Sequence, residues 1–222
     1  MQHTPAKSAH STTALVAGGH VAETRNPFAL PLGWRGRLAG WYMSLPDAQH
    51  RELLDVVPTD RGERLLEIGF GPGQLLKMIR GREPHMVLGG VDPSELMVSR
   101  ARRRNPGADL RLGAAAAIPF PDDHADVVVA VNNVPMWPDL DAALSEIDRI
   151  LRPGGTAVVA WHGGDDPRGH QRKLVLSAER KATIDSAIRR CFAEVTTIPL
   201  HHSDVWIATK QATELPAAPA ET

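Results

Sequence analysis

The chain of 222 residues is poor in cysteine, in net charge and in long apolar runs. Its single cysteine, Cys191, excludes a disulfide within the chain and makes a reducing cytoplasm the expected compartment. The net charge of −1 gives no overall attraction to nucleic acid or to an anionic membrane. No apolar run approaches the roughly 20 residues that span a bilayer, and the first residues lack the apolar core of a signal peptide. These absences predict a single cytoplasmic domain without nucleic-acid or membrane partners.

A glycine-rich turn is the most informative feature that is present. Residues 65–75 contain an apolar segment typical of a strand buried on both faces, then the turn, then the start of a helix. Gly69, Gly71 and Gly73 allow the chain to turn sharply and allow a ligand to approach the backbone closely. A second apolar strand ends at Asp92, roughly 20 residues further on, where a βαβ nucleotide-binding fold places its ribose-binding acid. The pattern therefore indicates a nucleoside-cofactor site.

Two side chains beside the turn distinguish between cofactor classes. The pyrophosphate of a dinucleotide prefers the free backbone N–H groups at a helix N-terminus. Here Pro72 removes one such donor, and Glu67 places a carboxylate at the mouth of the turn. A ligand that joins adenosine to a positively charged amino acid is favoured by that carboxylate. A nucleotide-dependent reductase is therefore the disfavoured alternative.

Five motifs in sequence order resemble those of the class I S-adenosylmethionine-dependent methyltransferases, of the small-molecule, type 11-like kind. The motifs are E-x-G-x-G-x-G at residues 67–73, the acid Asp92, the segment 113–120 that ends in Ile-Pro-Phe, the strand 126–132 and Leu-Arg-Pro-Gly-Gly at 151–155. The resemblance covers roughly residues 52–210. It implies S-adenosylmethionine as the cofactor and methyl transfer as the activity.

The resemblance also implies a set of cofactor-binding residues. They are Glu67, Gly69, Gly71, Gly73, Asp92, Pro93, Met97, Ala114, Ala115 and Asn132. Ala114 departs from the many relatives that carry a polar or acidic side chain there for the adenine amino group. We therefore expect adenine to be held by backbone groups near Ala115 and by apolar contacts such as Met97, with modest affinity.

Alternating strand and helix patterns predict an α/β fold, a doubly wound, mostly parallel, seven-stranded Rossmann-like sheet that ends in an antiparallel hairpin. The predicted helices are 47–57, 74–80, 94–105, 140–151 and 178–191, and the later strands are 109–112, 125–131, 156–161, 194–199 and 204–209. A methyltransferase domain is expected over 27–210, with an N-terminal lid and helix at 27–57. The ends, 1–26 and 211–222, are expected to be disordered.

The carboxyl ends of the strands are where a methyl acceptor is expected to bind. His162 follows the fifth strand and is a candidate general base, because the pKa of histidine lies near working pH. Asn133, after the fourth strand, is a second candidate catalytic residue. The candidate substrate-facing residues are Trp34, Tyr42, Met43, Trp137 and His201. The alternatives remain that His162 is an exposed or hydrogen-bonded bystander and that no base is needed. Asn133 would then cap a turn, Trp137 would fill a gap in the core, and the aromatic residues of the lid would only cap the end of the sheet.

The residue content argues against several acceptor classes. No metal is expected, since Asn132 and Asn133 stand where magnesium-dependent relatives present carboxylates, and one cysteine cannot bind arsenite as a cluster. The basic residues 100–104 are interpreted as a solvated helix face, because no aromatic platform for bases accompanies them. A small organic molecule remains as the acceptor, and a non-catalytic S-adenosylmethionine-binding module remains as the alternative function.

Overall fold

The computed structural model describes residues 48–60, 62–165, 167 and 172–212. The predicted lid residues Trp34, Tyr42 and Met43 lie outside the described residues, as do the predicted disordered N-terminus and all of the predicted tail beyond residue 212. In the part that is described, no helix is both long enough and apolar enough to cross a membrane.

Helices and strands alternate along most of the chain. The five helices described are α1 (Ala48–Val56), α2 (Gln74–Arg82), α3 (Glu95–Arg104), α4 (Leu140–Ile150) and α5 (Ala178–Cys191). The strands are β1 (Arg64–Ile68), β2 (Val87–Asp92), β3 (Asp109–Leu112), β4 (Ala125–Val131), β5 (Leu151–His162), β6 (Glu194–Pro199) and β7 (Ser203–Thr209). A short 3₁₀ helix, Val134–Met136, follows β4.

The seven strands form one sheet in the order β3-β2-β1-β4-β5-β7-β6. The first five are parallel, and β7 pairs antiparallel with both β5 and β6. This arrangement confirms the predicted doubly wound sheet with a terminal hairpin. The strand order reverses between β1 and β4, so their carboxyl ends border the crevice in which such sheets bind ligands.

The sheet is covered on both faces by apolar side chains. Leu66 and Ile68 of β1 belong to one hydrophobic cluster, to which α4 and α5 contribute. Leu65 belongs to the other cluster, to which α1, α2 and α3 contribute. Successive residues of a strand point to opposite faces, so β1 presents apolar side chains to both layers of helices. The core therefore consists of two layers, one on each face of the central strands.

The connection between α4 and β5 differs from the predicted boundaries. The helix ends at Ile150, and β5 begins at Leu151 rather than at Thr156. Leu151 pairs with Ala125 of β4, and the register then shifts before Thr156 pairs with Val127. The segment 152–155 between these pairs is a bulge, in which Gly154 has a φ of 76°. The first residues of β5 could not be predicted from the sequence, because the bulge interrupts the apolar pattern of the strand.

Candidate functional site

The three glycines of the turn after β1 all have a left-handed backbone. Their φ angles are 66°, 52° and 75° at Gly69, Gly71 and Gly73. Such angles are strained for other residues, which explains why the turn is built from glycine. The Gly69 N–H donates to the Val91 carbonyl at 2.7 Å, and the Gly73 N–H donates to the Phe70 carbonyl at 2.9 Å. The turn is thereby joined to the end of β2.

Asp92 closes the turn from the neighbouring strand. Its carboxylate accepts hydrogen bonds from the Gly71 N–H and the Ser94 N–H, each at 2.8 Å. Burial raises the pKa of Asp92, and these two backbone donors oppose the rise. Each carboxylate oxygen has two lone pairs, so both oxygens can still accept a hydroxyl group of a bound ribose. The sequence-predicted ribose acid thus lies directly beside the predicted turn.

Glu67 places a buried carboxyl group next to the glycine turn. The residue is 4 % exposed, and its Oε2 atom is buried without a hydrogen-bond partner. Burial, and next the nearby Asp92 carboxylate, raise the pKa of Glu67 well above its ordinary value, while the Leu76 N–H opposes the rise. A buried acceptor left unsatisfied costs free energy that a cationic or hydrogen-donating ligand group would recover. That a positively charged ligand group lies near this carboxyl group stays a prediction.

Two asparagines follow β4 and support the turn from the other side. Asn132 has a φ of 56°, which asparagine tolerates better than most residues. The Asn133 side-chain amide donates to the Ile68 carbonyl, at the last residue of β1. A Cβ atom at Gly69 would lie 2.4 Å from the same amide nitrogen, so Asn133 and the first glycine are in tight contact. The candidate residues after β4 are thus brought to the cofactor turn.

Gln49 of α1 is a part of this arrangement that the sequence reasoning missed. The residue is fully buried, and its amide pairs reciprocally with the Asn132 amide at 3.1 and 2.8 Å. Its Nε2 also donates to the Ser203 hydroxyl at 2.8 Å. The signal in the sequence is its position four residues before Leu53, which places it on the buried face of α1.

The remaining predicted cofactor residues line the ends of β2 and β3. Met97 lies on α3 and is 1 % exposed, whereas Pro93 is exposed at the start of the same helix. Ala114 forms an isolated antiparallel bridge with Ala117, and Ala115 packs against the cluster that includes Leu66. The short connection 113–120 therefore passes beside the carboxyl ends of these strands, and its role in binding adenine stays a prediction.

The described residues that are predicted to face the methyl acceptor follow β4, end β5 or lie in the turn between β6 and β7. His162 is the last residue of β5 and pairs with Ser203 of β7, and its ring centroid is 5.4 Å from that of Trp161. Trp137 is half-buried against the hydrophobic cluster, which matches the alternative of a core-filling aromatic side chain. His201 is exposed in the turn between β6 and β7. The structure thus brings His162 and His201 to the same end of the sheet.

The helix α1 also contacts this end through a second polar pair. Glu52 accepts from the His202 backbone N–H at 3.1 Å, and its Oε1 lies 2.6 Å from His202 Nδ1. His202 is therefore held by α1, whereas its neighbour His201 faces solvent.

Within the described residues, no group of three or more acidic, histidine or cysteine side chains could hold a metal ion. Arg102 and Arg103 of α3 are exposed, in agreement with the predicted solvated face, and two basic side chains of this helix also hydrogen-bond to backbone carbonyls. Arg102 donates to the Leu110 carbonyl at 2.7 and 3.1 Å, and Arg104 donates to the Pro72 carbonyl at 2.9 Å. Through these bonds the two guanidinium groups connect α3 to β3 and to the glycine turn.

The arrangement of the sheet and of this site is similar to that of the class I S-adenosylmethionine-dependent methyltransferases. Residues 66–159 match a family model described as a methyltransferase domain. The chain is 39% identical over 101 residues to the uncharacterized methyltransferase YdaC of Bacillus subtilis. The aligned residues make up 45% of this chain and 56% of that protein. It is 28% identical over 149 residues to a trans-aconitate 2-methyltransferase of Variovorax paradoxus. That alignment covers 67% of this chain and 57% of that protein.

A solved structure shares the fold. A methyltransferase from Aquifex aeolicus superposes with a TM-score of 0.66 at 15% identity, over 77% of this chain and 96% of that chain. The chain spans a little over half the length of the two curated relatives described above.

Proposed function

We propose that this protein transfers the methyl group of S-adenosylmethionine to a small organic molecule. The observation that carries the proposal is the left-handed glycine turn closed by Asp92, with the unsatisfied Glu67 carboxylate beneath it. Asp92 would accept the ribose hydroxyls, and the bare backbone of the turn would contact the amino-acid part of the cofactor. Glu67 would supply a negative charge for a positively charged ligand.

The bound cofactor would supply a methyl group that its positive sulfur already activates. Asp92 and the backbone of the glycine turn would hold the cofactor, and its chemistry would be displacement at the methyl carbon by the acceptor, with the sulfur as the leaving group that keeps the bonding electron pair. The protein mainly has to hold the acceptor in line and to exclude water. Asn133 and His162 border the acceptor side, and His162 would remove a proton only where the acceptor is a hydroxyl group.

The small-molecule acceptor is supported by the connections around the site. Among the described residues between β5 and the terminal hairpin there is one α-helix, α5, which leaves little room for a domain that grips a macromolecule. The relative named for trans-aconitate acts on a small organic acid, which is consistent with this choice. The non-catalytic cofactor-binding module is the second candidate, and the same compact acceptor side favours it.

Calorimetric titration with S-adenosylmethionine, S-adenosylhomocysteine and NADH tests the cofactor assignment. We expect both sulfur nucleosides to bind and NADH not to bind. The reverse result would identify a reductase. Methyl transfer to a panel of hydroxyl, amine, thiol and carboxylate acceptors then separates an enzyme from a binding module.

Asp92→Asn tests which residues hold the nucleoside. The amide has one acceptor oxygen where the carboxylate has two, so either the Gly71 or the Ser94 N–H loses its partner. In the proposed complex the variant would also lose the charged acceptor of a ribose hydroxyl, and a lost hydrogen bond to a charged group is worth about 1.5–3 kcal/mol, which corresponds to roughly 10- to 150-fold weaker binding of S-adenosylhomocysteine. Asp109→Asn, at an exposed acid on β3, is the matched control. Equal affinities of the two variants would remove Asp92 from the site.

A further inference from the structure

The fully buried amide of Gln49 connects the N-terminal helix to the end of β4. Both of its N–H groups and its oxygen are used, by Asn132 and by Ser203. A buried amide with every polar group satisfied holds its partners in one arrangement. The partner that matters here is Asn132, because its backbone has the left-handed conformation.

The conformation at Asn132 determines where the next residue points. Its N–H donates to the Ala160 carbonyl at 2.9 Å, and the chain then turns so that Asn133 donates to the Ile68 carbonyl. Asn133 is in contact with Gly69, the first glycine of the cofactor turn. A continuous series of contacts therefore runs from Gln49 through both asparagines to the turn.

We propose that Gln49 is a positioning residue of the cofactor site. By pairing with the Asn132 amide, it keeps the backbone after β4 left-handed and so seats Asn133 against the glycine turn. The inference rests on the proposed function, since the turn is taken to bind S-adenosylmethionine. Gln49 itself touches neither the turn nor Asp92 through any hydrogen bond of the described residues.

Glu52 provides a matched comparison on the same helix. Glu52 also joins α1 to the β7 end of the sheet, through His202, but it makes no hydrogen bond to Asn132. A loss of α1 docking would affect Gln49→Leu and Glu52→Leu alike. A loss of the Asn132 conformation would affect only Gln49→Leu.

The experiment measures S-adenosylhomocysteine affinity by calorimetry and stability by urea unfolding. We expect Gln49→Leu to weaken binding at least fivefold and Glu52→Leu to weaken it less than fivefold. In an Asn132→Gly background, where glycine adopts the left-handed conformation without support, Gln49→Leu should cause less than a fivefold further loss. A fivefold or greater loss in that background, or equal effects of the two leucine variants, would overturn the inference.

A second comparison covers the case in which Gln49→Leu does not fold. Asn132→Ala disfavours the left-handed backbone and Asn132→Gly allows it, so the alanine variant should bind at least fivefold more weakly. Equal affinities would overturn the inference. If the wild-type protein binds no S-adenosylhomocysteine, the proposed function fails, and coupling between positions 49 and 132 in urea unfolding still decides whether Gln49 holds Asn132.

Discussion

At the scale of single residues, the cofactor turn depends on the first glycine for two separate reasons. Gly69 has a left-handed backbone, and a Cβ atom there would collide with the Asn133 amide nitrogen at 2.4 Å. Gly107, between α3 and β3, has a φ of 85° but no atom within 4 Å of such a Cβ. The two glycines therefore share the backbone requirement and differ in the steric one.

Gly69→Ala is expected to cost more stability than Gly107→Ala. The left-handed backbone alone costs about 1–2 kcal/mol for alanine at either position. At Gly69 the displaced Asn133 amide also loses its hydrogen bond to Ile68, and S-adenosylhomocysteine binding should fall with it. Urea unfolding of both variants gives the comparison. Equal losses of stability would show that Asn133 adapts freely to the added methyl group.

The residues of the turn could be predicted, but their supports could not. Gly69, Gly71 and Asp92 stand at a fixed spacing along a strand, a turn and a second strand, so sequence order alone brings them together. Gln49 and Asn132 are 83 positions apart, and their contact exists only after the helix α1 docks on the sheet. No local pattern predicts which buried amide a distant asparagine will meet.

At the scale of elements, α4 holds the connection between β3 and β4 in place through Arg149. Its guanidinium donates to the carbonyls of Phe120 and Ile118 at 2.9 and 3.0 Å, and to the carboxylates of Asp122 and Glu146. Glu146 in turn accepts from the Ile118 N–H at 2.8 Å, and its hydrogen bond to Arg149 lowers the pKa of Glu146. The segment that is predicted to contact adenine is thus anchored to a helix.

Arg149→Lys should loosen this connection without removing the charge. A lysine ammonium has three donors and no planar fork, so it cannot reach four acceptors arranged around a guanidinium. We expect a loss of about 1–2 kcal/mol in urea unfolding, since at least one carbonyl loses its partner. Arg103→Lys is the control, because Arg103 makes a single exposed hydrogen bond, to Ser99. A loss no larger than that of the control would show that the connection is held by its own packing.

At the scale of the whole molecule, the buried carboxylates of the site oppose folding where the surface acids support it. Asp185 is typical of the surface group, since its hydrogen bond to Arg189 lowers its pKa and its stabilisation is lost only as the pH falls through that lowered pKa. Glu67 and Asp92 have raised pKa values because burial penalises their charged forms. The sequence predicted both acids as cofactor-binding residues. It could not predict that Glu67 lacks a partner for one oxygen, because that depends on how the two layers of the core close over β1.

Glu67→Gln should therefore stabilise the protein while weakening the site. A folded-state pKa above the unfolded value means that the folded protein holds this proton more tightly. The contribution of Glu67 is most favourable below the ordinary glutamate pKa of about 4.3, and it is lost as the pH rises through the raised pKa. Glutamine stays neutral throughout. At pH 8 the variant should melt at least about 2 °C above the wild type, since 1 kcal/mol shifts the Tm of a chain of this size by roughly 2–4 °C.

Thermal unfolding at pH 4 and pH 8, with and without S-adenosylmethionine, checks this expectation. The difference between variant and wild type should vanish near pH 4, where both side chains are neutral, and the Tm increase caused by the ligand at pH 8 should be smaller in the variant. Glu194→Gln, at an exposed position on β6, should change neither quantity. A variant that is less stable than the wild type at pH 8 would mean that the ionised carboxylate already has a compensating partner, and the reason given for a cationic ligand at the glycine turn would then be lost.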